Sequence, residues 1–193
     1  ATLAEAEAAL ARAAAEEEFL RHAVAELDKL DPQQGEDEAL DARMRQRFGA
    51  MLQAAAAGEL WAWRSTAQGR LAEVIVLDQF SRNIWRGDAR SFAQDPQALV
   101  LAQELVAGGH DQALTPAQRA FGYMPFMHSE SALVHQRAVE LFSQPGLDNE
   151  LAFELRHKAI IDRFGRYPHR NAILGRASTP NEEAFLAEPG SSF

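Results

Sequence analysis

Three short polar stretches interrupt an otherwise apolar chain, and each holds residue types that can do chemistry. The first is LDQFSRNIWR, Leu77 to Arg86. On a continuous helix Asp78, Arg82 and Arg86 fall at i, i+4 and i+8 and share a face, with Gln79, Asn83 and Arg86 forming a second stripe. Such a set is a ligand-facing cluster, a buried network that fixes helix packing, or an ordinary solvated ion pair. The second is PFMHSE, Pro125 to Glu130. His128 and Glu130 can act as acid and base. The plainer reading is that His128 ends one helix, Ser129 caps the next, and Glu130 favours the positive end of the helix dipole.

The third stretch is RFGRYPHRN, Arg163 to Asn171. A helix end accounts for part of it. Cations suit the last turn, Gly165 can take the left-handed C-cap position, and Pro168 stops the helix. That leaves His169, Arg170 and Asn171, followed by Arg176, without a local reason. Arginine grips carboxylate or phosphate through two parallel hydrogen bonds, so arginines beside a histidine suit an anion site. In this region Glu154 and Asp162 face Arg156, Lys158, Arg163, Arg166, Arg170 and Arg176, although the chain carries a net charge of −9. The acids concentrate in residues 1–60.

These readings give His128, Glu130 and His169 as candidate proton-handling residues. Asp78, Arg82, Asn83, Arg86, Arg163, Arg166, Arg170, Asn171 and Arg176 are the candidate ligand-binding residues. A further expectation is that Asp78 and Glu130 answer some of the arginine charge internally and that the three stretches meet in space. The histidines have no tight ligand spacing on one element, and there is no cysteine, so no metal and no other cofactor is expected. There is no phosphate loop, dinucleotide fingerprint, nucleophile elbow or H-E-x-x-H.

The elements that must position these residues read as helices almost throughout. Residues 3–30 are rich in Ala, Leu and Glu. DPQQGEDE is a turn, so residues 1–35 make an N-terminal helix and turn. A second helix is expected from Asp37 to Ala57, stopping near Gly58. Ser65 to Gln68 reads as a capping box opening a helix through Arg86. Its Val74–Leu77 core is apolar on all sides and therefore buried. Asp95 and Pro96 read as an N-cap and first helical residue, with the helix ending at Gly108 and Gly109. Thr115 to Gln118 is a second capping box. Ser129 is read as the cap of a helix through Phe142, and a helix from Asn149 to Phe164 closes at Gly165. Thr179 to Glu182 opens a short last helix. Short connections favour antiparallel neighbours, so the expected fold is a single all-α domain of seven or eight helices over residues 1–193.

The acidic balance disfavours nucleic acid and anionic membranes as partners. No apolar run is long enough to span a bilayer. The N-terminal segment has neither the basic end nor the continuous apolar stretch of a signal peptide. A cytoplasmic location is the expectation. Two functions fit: a pocket for a small anionic ligand, phosphorylated or carboxylated, with or without catalysis, or a helical groove that takes a peptide or protein partner without chemistry.

LDQFSRN, PFMHSE, RFGRYPHRN and LGRASTPNEEAFL, in this order and spacing, resemble the bacterial family known as domain of unknown function 924. The resemblance spans roughly residues 40 to 193, so residues 36–193 are the family-like helical core. Ser81 stands where the family usually has proline, and Tyr167 where it usually has phenylalanine. The resemblance implies a tetratricopeptide-repeat-like (TPR-like) all-α fold and implies no activity.

Overall fold

The computed structural model describes residues 36–191. The helix expected over residues 3–30 lies outside them. By its contacts the chain divides into residues 1–43 and residues 44–193. Of the first unit only the opening turns of helix α1, Glu36–Ala56, are described. Everything below concerns the second unit.

Every regular element among the described residues is helical. After α1 comes a 3₁₀ turn, Trp61–Ser65. Helix α2 begins as Ala67–Ile75, widens into a π turn over Val76–Phe80 and closes as Ser81–Ile84. Then follow α3 (Asp95–Ala107), α4 (Pro116–Met127), α5 (Ala132–Phe142), α6 (Asp148–Phe164) and α7 (Pro180–Leu186). From α2 to α6 each helix packs on the next, and α4 also meets α2 and α6. Val74, Ala102, Tyr123, Phe126, Leu141 and Phe142 form the main core, and Ile160, Ile161 and Tyr167 form a second cluster.

The capping box at Thr115 forms as the sequence suggests, and Thr179, which opens the last helix as expected, makes one as well, each hydroxyl accepting from the N–H three residues on. Gly165 takes the left-handed cap of α6, with φ of 70°. Three other starts are corrected. The cap of α2 is Thr66, whose hydroxyl accepts from Gly69, and Ser65 belongs to the preceding 3₁₀ turn. Gln94 rather than Asp95 precedes α3, leaving the Asp95 carboxylate available for distant partners. Ser131, not Ser129, precedes α5 and makes no side-chain cap.

The expected helix through Arg86 also ends early. Its last α-helical residue is Ile84, whose carbonyl accepts two hydrogen bonds from the Arg45 guanidinium, at 3.1 and 2.6 Å. Arg86 lies beyond that end, so it does not extend the face shared by Asp78 and Arg82. The π turn falls where Val74–Leu77, all buried, gives way to the polar stretch. Such widened turns occur often at functional sites.

The start of α2 depends on a close approach. A Cβ added to Gly69 would lie 2.0 Å from the Trp63 carbonyl oxygen, a backbone atom that cannot swing aside. Gly69→Ala is expected to cost about 1–3 kcal/mol through overpacking. Urea unfolding of the variant measures it, and a neutral result would mean that the 3₁₀ turn does not pack on the helix start.

Candidate functional site

The polar stretches meet around the Asp78 carboxylate, which is 1% exposed. Its Oδ1 accepts from Arg82 at 2.9 Å and lies 2.8 Å from His128 Nδ1. Its Oδ2 accepts from Gln79 at 2.5 Å. Arg82 also donates to the Asp78 carbonyl at 2.8 Å and to Asp95 at 3.0 Å. Arg170 reaches the same Asp95 oxygen at 3.2 Å and donates to the His128 carbonyl at 3.0 Å. A chain of contacts thus runs from α2 through α3 to the loop after α4 and to the 3₁₀ turn Pro168–Arg170.

The protonation states follow from the surroundings. Burial raises the Asp78 pKa, but His128 and Arg82 outweigh that and hold it well below the ordinary carboxylate range. Burial, helped by Arg82 and Arg170, pushes His128 down against the pull of Asp78. At neutral pH the ring is therefore neutral. Facing an ionised carboxylate, Nδ1 carries the proton, and Nε2 presents its lone pair.

Glu130 lies two residues on. It accepts the Tyr167 N–H at 2.7 Å and both Arg176 amino groups, at 2.6 and 2.9 Å. Arg176 holds its pKa down against burial. Arg170 is 6% exposed and sits between the rings of Phe92 and Tyr167, its guanidinium carbon 4.6 Å from each centroid. These groups border a recess of about 380 Å³, with Asp95, His128, Ser129, Glu130 and Arg170 among its polar walls and Phe92, Pro96, Leu99, Pro125 and Leu174 among its apolar ones.

The structure therefore brings Asp78, Arg82, His128, Glu130, Arg170 and Arg176 together. His169 lies beside Tyr167, with 5.4 Å between ring centroids, and burial pushes its pKa down to about 4. The other candidates lie apart. Arg166 is answered by Glu182 through bonds of 2.6 and 2.8 Å. Arg163 lies over the rings of Phe164 and Phe185. Arg86 and Asn83 bond each other on the surface at 3.3 Å. Buried Asn171 donates to Ser178.

Asp78 and Glu130 do answer arginines, but Asp95 and Glu182 were missed as further partners. Both had been absorbed by helix-start signals, although the arginine surplus itself called for more acids. Also missed was the pair behind the loop. His135 Nδ1 lies 2.7 Å from Glu154, its Nε2 lies 2.8 Å from the Ser129 carbonyl, and the Tyr167 hydroxyl donates to Met127 at 2.5 Å. These bonds fix the backbone on either side of His128. Among the described residues no group of three His, Cys, Asp or Glu is placed to hold a metal. No described helix is long and apolar enough to cross a membrane.

Two predictions come from this cluster. Removing one member of a buried charge pair leaves the other unanswered, so Asp78→Asn should lower stability by about 3 kcal/mol at pH 7. Equal stability in chemical denaturation would contradict the network. The second concerns pH. His128, His157 and His169 all have lowered folded pKa values, burial taking the last two to about 4. The unfolded chain binds protons on such groups from about pH 6.5 downward, whereas the folded chain does not. Their contribution is present above that pH and is lost as pH falls toward 4. Glu154, raised by burial, works the other way, one group against three. The unfolding free energy should therefore decline between pH 7 and pH 5, and a rise over that interval would overturn the assignment.

The family described as "Bacterial protein of unknown function (DUF924)" matches residues 25–190. A solved structure of a protein of unknown function from Agrobacterium tumefaciens is 39% identical, with a TM-score of 0.81, over 91% of this chain and 98% of that one. No curated protein matches. With the sequence motifs, the helical fold and the family match in agreement, this chain belongs to that bacterial family of unknown function.

Proposed function

We propose that the recess beside His128 binds a small organic anion and that His128 exchanges a proton with it. The observation that carries this reading is the His128–Asp78 hydrogen bond at 2.8 Å. Beside an ionised Asp78, a neutral imidazole here holds its Nδ1 proton inward and leaves the Nε2 lone pair for the recess. Asp78 and Arg82 orient the ring, which is the arrangement a general base needs. Arg170 supplies positive charge at the same wall. Its stacking between two aromatic rings and its bond to the His128 carbonyl fix it in place. Glu130 is tied to Arg176 and Tyr167 and serves to hold the loop rather than to move protons.

A second reading has its own support. Arg82, Arg166, Arg170 and Arg176 each face a carboxylate, as a purely structural network would require. A melting-temperature screen separates the two. It uses phosphate, sulfate, citrate, sugar phosphates and simple carboxylates against chloride at matched ionic strength. A ligand at a hundredfold excess over Kd stabilises the fold by about 2.7 kcal/mol. The ligand-site reading expects a rise that His128→Gln diminishes. If no anion raises the wild-type melting temperature above the chloride control, the structural reading stands instead.

A further inference from the structure

Resting on that anion-site reading, we infer that the recess takes a small monocarboxylate with an apolar body, together with one proton that settles on His128 Nε2. The argument is one of charge. Around His128 stand Asp78 and Arg82 from α2, Asp95 from α3, Glu130 from its own loop, His157 from α6, and His169, Arg170 and Arg176 from the segment after α6. Arg82 and Arg170 are balanced by Asp78 and Asp95, and Arg176 by Glu130. With His128 neutral the cluster carries no surplus charge.

An incoming anion adds one negative charge to a wall that already contains Asp95 and Glu130. Arg170 cannot answer it in full, because its charge is shared with Asp95. The arginines cannot change charge near neutrality, and each clustered carboxylate is held by an arginine that opposes its taking up a proton. His128 is the group at the recess wall that can respond. Protonated at Nε2, it becomes an imidazolium, donating inward to Asp78 and outward to the bound carboxylate. Ligand, proton and imidazole then combine without net change of charge, equivalent to uptake of the neutral acid.

One histidine matches one negative charge. A phosphate dianion would leave one charge unanswered between two carboxylates, so the site discriminates against it. The rest of the wall, Ser129 apart, includes Phe92, Pro96, Leu99 and Leu174, which offer apolar cover to a hydrocarbon body.

The test is calorimetric titration of the full chain with hexanoate, benzoate and inorganic phosphate, at pH 6 and pH 8, in two buffers of different ionisation enthalpy. The expected result is hexanoate or benzoate binding with about one proton taken up. Affinity should weaken about tenfold for each pH unit between the free and bound pKa of His128. At pH 8, where it is chiefly the dianion, phosphate should bind more weakly, and His128→Gln should abolish the proton uptake. The wild-type proton count stands alone should the variant fail to fold. Carboxylate binding without proton uptake, or phosphate binding more tightly than both carboxylates at pH 8, would overturn this inference and leave the anion site intact. Binding by none of the three would also overturn this inference, and the melting-temperature screen with the wider set of anions then decides the anion site itself.

Discussion

A buried carboxylate organises this molecule. Asp78 is almost wholly removed from water, and an ion in that position costs several kcal/mol unless it is fully partnered. Its partners come from more than one part of the chain. Gln79 and Arg82 are local, whereas His128 lies fifty residues on. Arg82 then ties Asp95, and Asp95 ties Arg170, which returns to the His128 carbonyl. Closing that loop of contacts requires α2, the start of α3, the end of α4 and the 3₁₀ turn after α6 to arrive at one point. The helix packing and the polar cluster are therefore one constraint. If α4 shifted against α2, the Asp78 charge would lose His128 and keep only local partners.

The π turn helps to reconcile two demands on α2. Its first part, Leu71 to Leu77, is buried and, Glu73 apart, belongs to the apolar core. Its last part must present Asp78 and Arg82 to polar neighbours. A regular helix would bring the two requirements together on a fixed rotation of 100° per residue. Widening one turn changes that rotation locally. Ser81 bears a trace of the compromise: its hydroxyl is buried without a hydrogen-bond partner, at the position where the family usually carries proline.

Much of the fold was legible because helix starts and stops are local chemistry. Thr115, Thr179 and Gly165 act within a few residues of themselves, so their roles follow from spacing alone. The misreadings have a physical pattern. Asp95 and Ser129 are good caps by residue type, but tertiary partners claim them: Asp95 serves two arginines, and the Ser129 backbone carbonyl holds His135. Local propensity cannot register a partner that arrives from elsewhere in the chain. The same limit applied to the site. The three stretches announced themselves by composition, yet which arginines would gather depended on the helix ends. Arg170 and Arg176 turn inward after Pro168, whereas Arg163 stays over Phe164 and Phe185, and Arg166 pairs with Glu182.

The chain is acidic overall, yet arginines concentrate at and after the end of α6. The reason lies in what each arginine can do that lysine cannot. Arg170 is buried, its guanidinium carbon over two rings, and still reaches both a carboxylate and a carbonyl from opposite ends of its fork. Arg176 and Arg166 each clasp a carboxylate with two hydrogen bonds. These geometries need a planar, permanently charged group with several fixed donors. A lysine at position 170 would offer one compact charge, and burial would tend to neutralise it. Fixed charges of this kind make a rigid frame, but a rigid frame alone cannot respond to a ligand. In the site proposed above the adjustable element is the imidazole of His128, between Asp78 on one side and the recess on the other. Burial keeps it neutral, and the fixed charges of Arg82 and Arg170 add to that effect against the pull of Asp78.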